Sequence, residues 1–385
     1  MSKSKTVVTV NDVLDQHGIS RRTFLKSCML AASAMALSPL AGTAMAKQLG
    51  KMRRPSIVYL SFQECTGCLE SLTRSFNPTL GHLIFDVISL DYNDTLMAAA
   101  GEAAEAAKEQ AMRDNYGEYV LVVDGAVPLA FGGACHTAAG KSAVQILKHA
   151  VKGAKAVVCV GTCATFGGLP IARPNPTGAV PVPALIKDKP VINVSGCPPI
   201  PVVMAGTLMY FFTFNRVPKL DDVGRPMMFY GNTIHDRCYR RPFYDAGKFA
   251  ESFDDEGARN GWCLYKLGCK GPTTYNACAT LKWNQGVSFP IESGHPCLGC
   301  SQPEFWDGGS FYAPLSSPKW GRAGTGTPSK AGVIAGAAGG IGAGAGIAAA
   351  ALSRYRKYRR TLASATETTA GERGENDKDE QSRGD

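Results

Sequence analysis

The chain has 385 residues, 45% of them hydrophobic, and a formal net charge of +9 at pH 7. That charge is no nucleic-acid signature: residues 1–46 hold +3 of it, residues 353–385 hold +1, and the body between carries no basic stripe. Thirteen cysteines in a chain with ample apolar residues argue against a small scaffold held together by disulfides alone.

Residues 1–46 read as an address. Arg21 and Arg22 stand in SRRTFLK (20–26), an Ala/Met-rich apolar run follows, and Ala44-Met45-Ala46 offers a small-x-small cleavage pattern. The setting matches a twin-arginine export signal, against the plainer reading of an ordinary secretory signal. Cargo of that pathway folds before export, often around a cofactor.

From Pro55 apolar runs alternate with helix-like segments. Residues 56–62, 83–92, 119–126, 154–161 and 189–196 are strand candidates, and 96–113, 137–151 and 200–213 are helix candidates. Near-continuous Val/Ile runs between helices predict a parallel sheet covered on both faces. Ligands of such sheets gather beyond the carboxyl ends of the strands. Cysteines stand at those ends: Cys65 and Cys68 in a CxxC, Cys163 in GTCATFGG, and Cys197 in SGCPP. Gly67, Gly161 and Gly196 beside them permit turns and close approach to something bulky. A thiolate-rich site suits zinc or an iron–sulfur cluster. Cys159 lies within a strand and reads as core, and Cys135 as structural. The segment ending in Gly140-Lys141-Ser142 is no phosphate loop, since Cys135 stands where that motif requires glycine.

Beyond residue 230 the periodicity fades into Gly, Pro and aromatic residues. Six cysteines (Cys238, Cys263, Cys269, Cys278, Cys297 and Cys300) recur there with His235. Disulfides, structural zinc and iron–sulfur clusters compete for them, and the donor set favours clusters, which accept thiolate and occasional imidazole. Ala331–Leu352 is then an uncharged Ala/Gly-rich run long enough to span a bilayer. A flexible linker is its alternative. The basic RYRKYRR that follows places its own side in the cytoplasm, and 361–385 reads as disordered.

In order, CTGC (65–68), GTCATFGG (161–168), GCPP (196–199), HDRC (235–238), Cys263 and Cys269, Cys278 and CLGC (297–300) resemble the small subunit of membrane-bound nickel–iron hydrogenases. The likeness covers both ends as well as the body. It implies a flavodoxin-like domain at 47–230 after the signal at 1–46, and an irregular iron–sulfur domain at 231–320. A transmembrane helix at 331–352 and a cytoplasmic tail at 353–385 complete the expected α/β chain. It further implies a proximal 4Fe–4S cluster on Cys65, Cys68, Cys163 and Cys197, and a distal 4Fe–4S cluster on His235, Cys238, Cys263 and Cys269. A medial 3Fe–4S cluster would sit on Cys278, Cys297 and Cys300, with Pro290 about where a fourth cysteine would complete a cubane. Glu64 would tune the proximal site or relay protons, unless backbone N–H groups simply hold it. Gly67 and Gly168 occupy the positions where oxygen-tolerant members carry extra cysteines, which implies an ordinary cubane and an oxygen-sensitive enzyme.

The implied function is electron transfer from H2 oxidation to a membrane partner and quinone, reversible in principle. The chain offers no nickel–iron site of its own, so the implied partner is a large subunit that bears that centre. A b-type cytochrome, or an iron–sulfur protein with an integral subunit, would accept the electrons at the inner membrane's periplasmic face. A dimer of such heterodimers is compatible with this, and nucleic acid is not a partner. Two rivals are a cluster subunit of a quinone-reducing complex, which shares the four-cysteine site but lacks the second domain, and an exported disulfide-bonded binding protein.

Overall fold

The computed structural model describes residues 9–76 and 78–315. The apolar run at 331–352 and the tail at 353–385 lie outside them. Among the described residues no helix is long and apolar enough to cross a membrane.

The centre is a five-stranded parallel sheet built from β1 (Ser56–Ser61), β2 (Ser89–Tyr92), β3 (Val120–Asp124), β4 (Ala156–Val160) and β5 (Val191–Val194), ordered β2-β1-β3-β4-β5. This is the doubly wound order that flavodoxin also has, with its topological switch between β1 and β3. The β3 and β4 runs, VLVVD and AVVCV, are buried at every position, as expected of strands covered on both faces. Cys159 is among them, fully buried.

Several boundaries differ from the sequence reading: the strands are shorter, the helix expected from 96 begins at Gly101, and two further differences have a local cause. The apolar run from residue 83 enters as a π-type turn, Leu83–Val87, and only Ser89–Tyr92 is strand. Leu83, Asp86 and Val87 turn inward together, which a period-2 strand could not do. The helix expected from 137 begins at Ala143, because Ser142 and Gln145 form a capping box. Residues 137–142 are a tight hairpin instead.

Residues 9–51, which take in most of the 1–46 read as an export signal, form the helices Val10–Gln16, Arg21–Ala34 and Pro39–Lys51. Their Leu14, Phe24, Met35, Met45 and Leu49 belong to the same core as the sheet and the Pro201–Phe214 helix. That last helix is apolar nearly all round and buried along most of its length, the pattern of a helix enclosed by neighbours.

After residue 230 the chain makes only short helical turns. A small cluster of Ile234, Ala250, Leu264, Leu267, Cys269, Phe289 and Ile291 holds this part together, so its apolar core is slight, as the composition implied.

Candidate metal centres

All thirteen cysteines are free thiols. The disulfide reading therefore has no support, and the thiols gather instead.

The first group forms past the carboxyl ends of the strands. Gln63 exchanges backbone hydrogen bonds with Ala126, both 3.0 Å, so the loop after β1 is drawn along the end of β3. Gly125 makes this possible: its φ is +85°, and a Cβ there would sit 2.8 Å from the Gln63 carbonyl. Cys68 is thereby buried at the base of the Gly67–Thr73 helix, facing Asp124. Burial pushes the Cys68 thiol well above its usual range, and Asp124, Cys163 and Cys197 add to the rise. Burial likewise takes Cys163 to about 11, with Asp124 and Cys65 contributing. Cys197 rises to about 12 through burial, then through Cys300, Cys163 and Cys65. Cys65, Cys68, Cys163 and Cys197 thus share one neighbourhood. Gly161 and Gly168 leave room there: a Cβ on Gly161 would collide with Cys68 Sγ, and one on Gly168 would lie 2.7 Å from Cys163 Sγ.

A second group lies in the irregular part. Burial pushes Cys263 up to about 12, and Cys269 and Cys238 reinforce it. Cys269 is also raised by burial, and the backbone N–H groups of Gly271 and Cys297 pull against that. The Gly271 N–H donates to Cys269 Sγ at 3.4 Å. His235 packs edge-on to Tyr244, ring centroids 4.7 Å apart. Burial, then the Arg241 guanidinium, lower its pKa while Asp236 and Asp245 oppose them, which favours the neutral imidazole that binds metals.

The third group is Cys278, Cys297 and Cys300. Cys278 is driven to about 12 by burial and by Cys300, with the Trp283 side chain lowering it. Cys297 rises well above the usual thiol range through burial, then Cys269 and Cys300. Pro290 is exposed, and its carbonyl accepts the His295 N–H at 2.8 Å.

Two links order the groups in space. The Cys197 backbone N–H faces the Cys300 thiol, and the Cys297 N–H faces the Cys269 thiol. The third group therefore stands between the first and the second.

Chemically, the nine buried or half-buried thiols of these groups cannot all ionise beside one another without a cationic occupant, and Cys65 alone of the ten is exposed. Among the described residues no three such donors converge on a single ion. Clusters of several irons spread their thiolates more widely and use backbone N–H groups aimed at sulfur, and the donor sets, N–H groups and glycine openings fit them.

The comparisons bear on this arrangement. The family described as "NADH ubiquinone oxidoreductase, 20 Kd subunit" matches residues 65–211. The family of the C-terminal part of the "NiFe/NiFeSe hydrogenase small subunit" matches residues 230–313. An uptake hydrogenase small subunit of Azotobacter vinelandii is 52% identical over 314 residues, 81% of this chain and 88% of the relative. The chain belongs to the small subunits of nickel–iron uptake hydrogenases. One from Afipia carboxidovorans is 48% identical across 93% of this chain and 97% of its own length. Among solved structures, the NiFeSe hydrogenase of Desulfomicrobium baculatum superposes with a TM-score of 0.64 at 35% identity, covering 68% of this chain and all of that one. The chain is thus part of an oxidoreductase, pairs with a large hydrogenase subunit, and belongs to a family whose small subunits hold iron–sulfur clusters.

Several neighbours of these thiols were not legible in the sequence. Asp124 is 1% exposed, and burial, then the Glu64 carboxylate, push its pKa up to about 7. Tyr59 OH lies 3.3 Å from its Oδ2. Glu64 accepts from the Thr66 hydroxyl at 3.3 Å and keeps Oε2 buried with no partner among the described residues, so the backbone-held alternative for Glu64 is not what the structure has. Burial raises its pKa too. Arg225, 4% exposed, pairs with Asp221 at 2.7 Å and donates to the Ser301 carbonyl at 3.0 Å, which ties the irregular part to the sheet. Thr162 donates to the Cys300 carbonyl, and the Ser195 hydroxyl to the Ser301 carbonyl at 3.0 Å. Cys135 is exposed.

Proposed function

We propose that this chain conducts electrons from H2 oxidation in the large subunit to a membrane partner and on to quinone, along three iron–sulfur clusters. Cys65, Cys68, Cys163 and Cys197 would hold a proximal 4Fe–4S cluster. Cys278, Cys297 and Cys300 would hold a medial 3Fe–4S cluster. His235, Cys238, Cys263 and Cys269 would hold a distal 4Fe–4S cluster. When bound, such clusters supply one-electron carriers whose potentials depend on ligand type, burial and hydrogen bonds to sulfur. The observation that carries the reading is the pair of contacts Cys197–Cys300 and Cys269–Cys297, which makes one file of the three donor sets.

The protein's own part is to space and insulate these sites. The strand ends hold the first set rigid, Arg225 and Thr162 dock the third against it, and the imidazole of His235 replaces one thiolate, which removes negative charge where electrons leave. Glu64, half-buried with an unpartnered oxygen, would tune the first site or pass protons where the large subunit docks. Twin-arginine export, a span at 331–352 and a cytoplasmic tail would place the body on the periplasmic side of the inner membrane. The acceptor there would be a b-type cytochrome or an iron–sulfur and integral protein pair. Metal analysis of the complex purified from native membranes tests the whole reading. About eleven irons in this chain with nickel in its larger partner are expected. Iron clearly below that, with nickel present, would overturn the three-cluster assignment.

A further inference from the structure

The twin-arginine stretch does not lie loose on the body. Ser20 caps the helix Arg21–Ala34, its hydroxyl accepting the Thr23 N–H at 3.1 Å, so SRRTFLK is folded into the first turns of a helix. Arg21 and Arg22 face solvent, but Phe24 is 3% exposed and packs edge-on to the His82 ring of the body, centroids 6.1 Å apart. Asp86, itself 3% exposed, bridges segment and body. One of its carboxylate oxygens accepts from His17 Nδ1 at 2.5 Å and the other from His82 Nδ1 at 2.7 Å. His82 and Asp86 belong to the turns before β2, whereas His17 stands just ahead of the paired arginines. Further on, Met35 rests against the Pro201–Phe214 helix, where a Cβ on Gly206 would come within 3.7 Å of Met35 Cγ. Met45, the centre of the Ala44-Met45-Ala46 pattern, is fully buried within the helix Pro39–Lys51.

From this geometry we infer that the folded body masks its own export signal: residues 9–46 are docked against the core, with Asp86 as the latch, and the segment is read only after it is released. The inference rests on the twin-arginine reading above. Machinery that recognises the signal by its side chains must reach Phe24 and the apolar run after it, and Phe24, Cys28, Ala31 and Met35 are all committed to the core. A peptidase acts on chain that has opened, which a buried site inside a helix offers only when the helix comes away. His17 and Phe24 flank the arginines, so the Asp86–His82 pair holds the motif from both sides. The segment contributes no strand to the sheet, and its release is therefore a local opening that leaves the strand ladder whole.

The test uses the full-length precursor with its large subunit, accumulated in cells whose twin-arginine translocase is inactive, and follows trypsin cleavage after Arg21, Arg22 and Lys26. Cleavage there samples only the opened segment, so its rate tracks the fraction released. A hydrogen bond to a charged group is worth roughly tenfold in such an equilibrium. His17→Ala and Asp86→Asn should therefore each speed cleavage at these sites about tenfold and leave cleavage elsewhere in the body unchanged. Should Asp86→Asn loosen the whole body, His17→Ala, which alters the segment alone, decides. Unchanged rates overturn the inference, as does a wild-type precursor cut at these sites as fast as the same stretch in urea. A chain isolated from native membranes that still carries residues 9–46 would instead refute the export reading and make the three helices a permanent layer of the body.

Discussion

Replacing Gly161 by alanine adds one methyl group at the most crowded point of the first thiol group. Gly161 has φ +83° and opens the helix Gly161–Phe166 directly after β4. A left-handed backbone costs a residue with a Cβ about 1–2 kcal/mol. The new carbon would fall far inside the roughly 3.5–4.0 Å at which such atoms rest against Cys68 Sγ, and it would stand 3.4 Å from Asp124 Oδ1. Cys68 is buried and cannot swing into solvent, so its sulfur must retreat by roughly an ångström. That is a large fraction of a metal–thiolate bond of about 2.3 Å. Overpacking of this kind adds about 1–3 kcal/mol. The total remains below the roughly 5–15 kcal/mol that holds a domain together, so Gly161→Ala should fold yet lose its proximal cluster. Iron in this chain should fall from about eleven to about seven, with the medial signal intact and H2-driven reduction of external dyes abolished. A variant with wild-type iron and an unchanged proximal signal would show that Gly161 is not the cradle for Cys68, and the reasoning fails.

Cys278→Ser should abolish the three-iron resonance of the oxidised protein while both four-iron signals survive; an unaltered resonance refutes the medial assignment. His235→Ala should slow electron delivery to soluble acceptors at least tenfold and leave hydrogen–deuterium exchange by the large subunit largely intact. Loss of both activities together would give His235 a role in assembly instead. Arg225→Met leaves Asp221 without its cation and removes one of the two donors to the Ser301 carbonyl, the Ser195 hydroxyl remaining, a loss of about 3–5 kcal/mol measurable as a lower urea midpoint of the complex; an unmoved midpoint would show that this contact does not join the two parts. Arg21→Lys with Arg22→Lys should strand the folded complex in the cytoplasm, as fractionation with an activity stain would reveal, and normal export would make the paired arginines incidental.

The sheet was legible because β3, β4 and β5 are runs of β-branched residues that have no stable alternative to a doubly covered strand. Its edges were less so. At 83–92 the same apolar letters serve a π-type turn and then a strand, and only tertiary packing of Leu83 and Val87 separates the two. The helix at 143 is announced by Ser142 and Gln145, a capping signal that the broader Ala-rich pattern had obscured. For residues 9–51 the sequence permits two kinds of reading at once. An Ala/Met-rich helix beside paired arginines serves an export signal, and the same apolar residues seat Phe24, Met35 and Met45 in the core of the body. Arg225 and Asp124 escaped notice because a charge in a Gly/Pro-rich stretch or at a strand end normally marks solvent. Nothing local to those residues says that the chain will close over them.

The cysteines were legible as residues, yet their order in the sequence is not their order in space. Cys238, Cys263 and Cys269 precede Cys278, Cys297 and Cys300 along the chain, but the later three lie between the earlier three and the strand ends. The reason is the path of the last segment. After Cys269 the chain turns back, and Thr162, Ser195 and Arg225 all spend hydrogen bonds on the carbonyls of Cys300 and Ser301. Those three donors come from the ends of β4 and β5 and from the loop before Met227–Tyr230, so the sheet itself fixes where the middle group sits. A relay needs that constraint, because electron transfer between neighbouring sites depends on their spacing and a mobile middle site would break the file. The sheet therefore does more than support the first group: in the proposed relay its carboxyl ends would also set the distance to the second step.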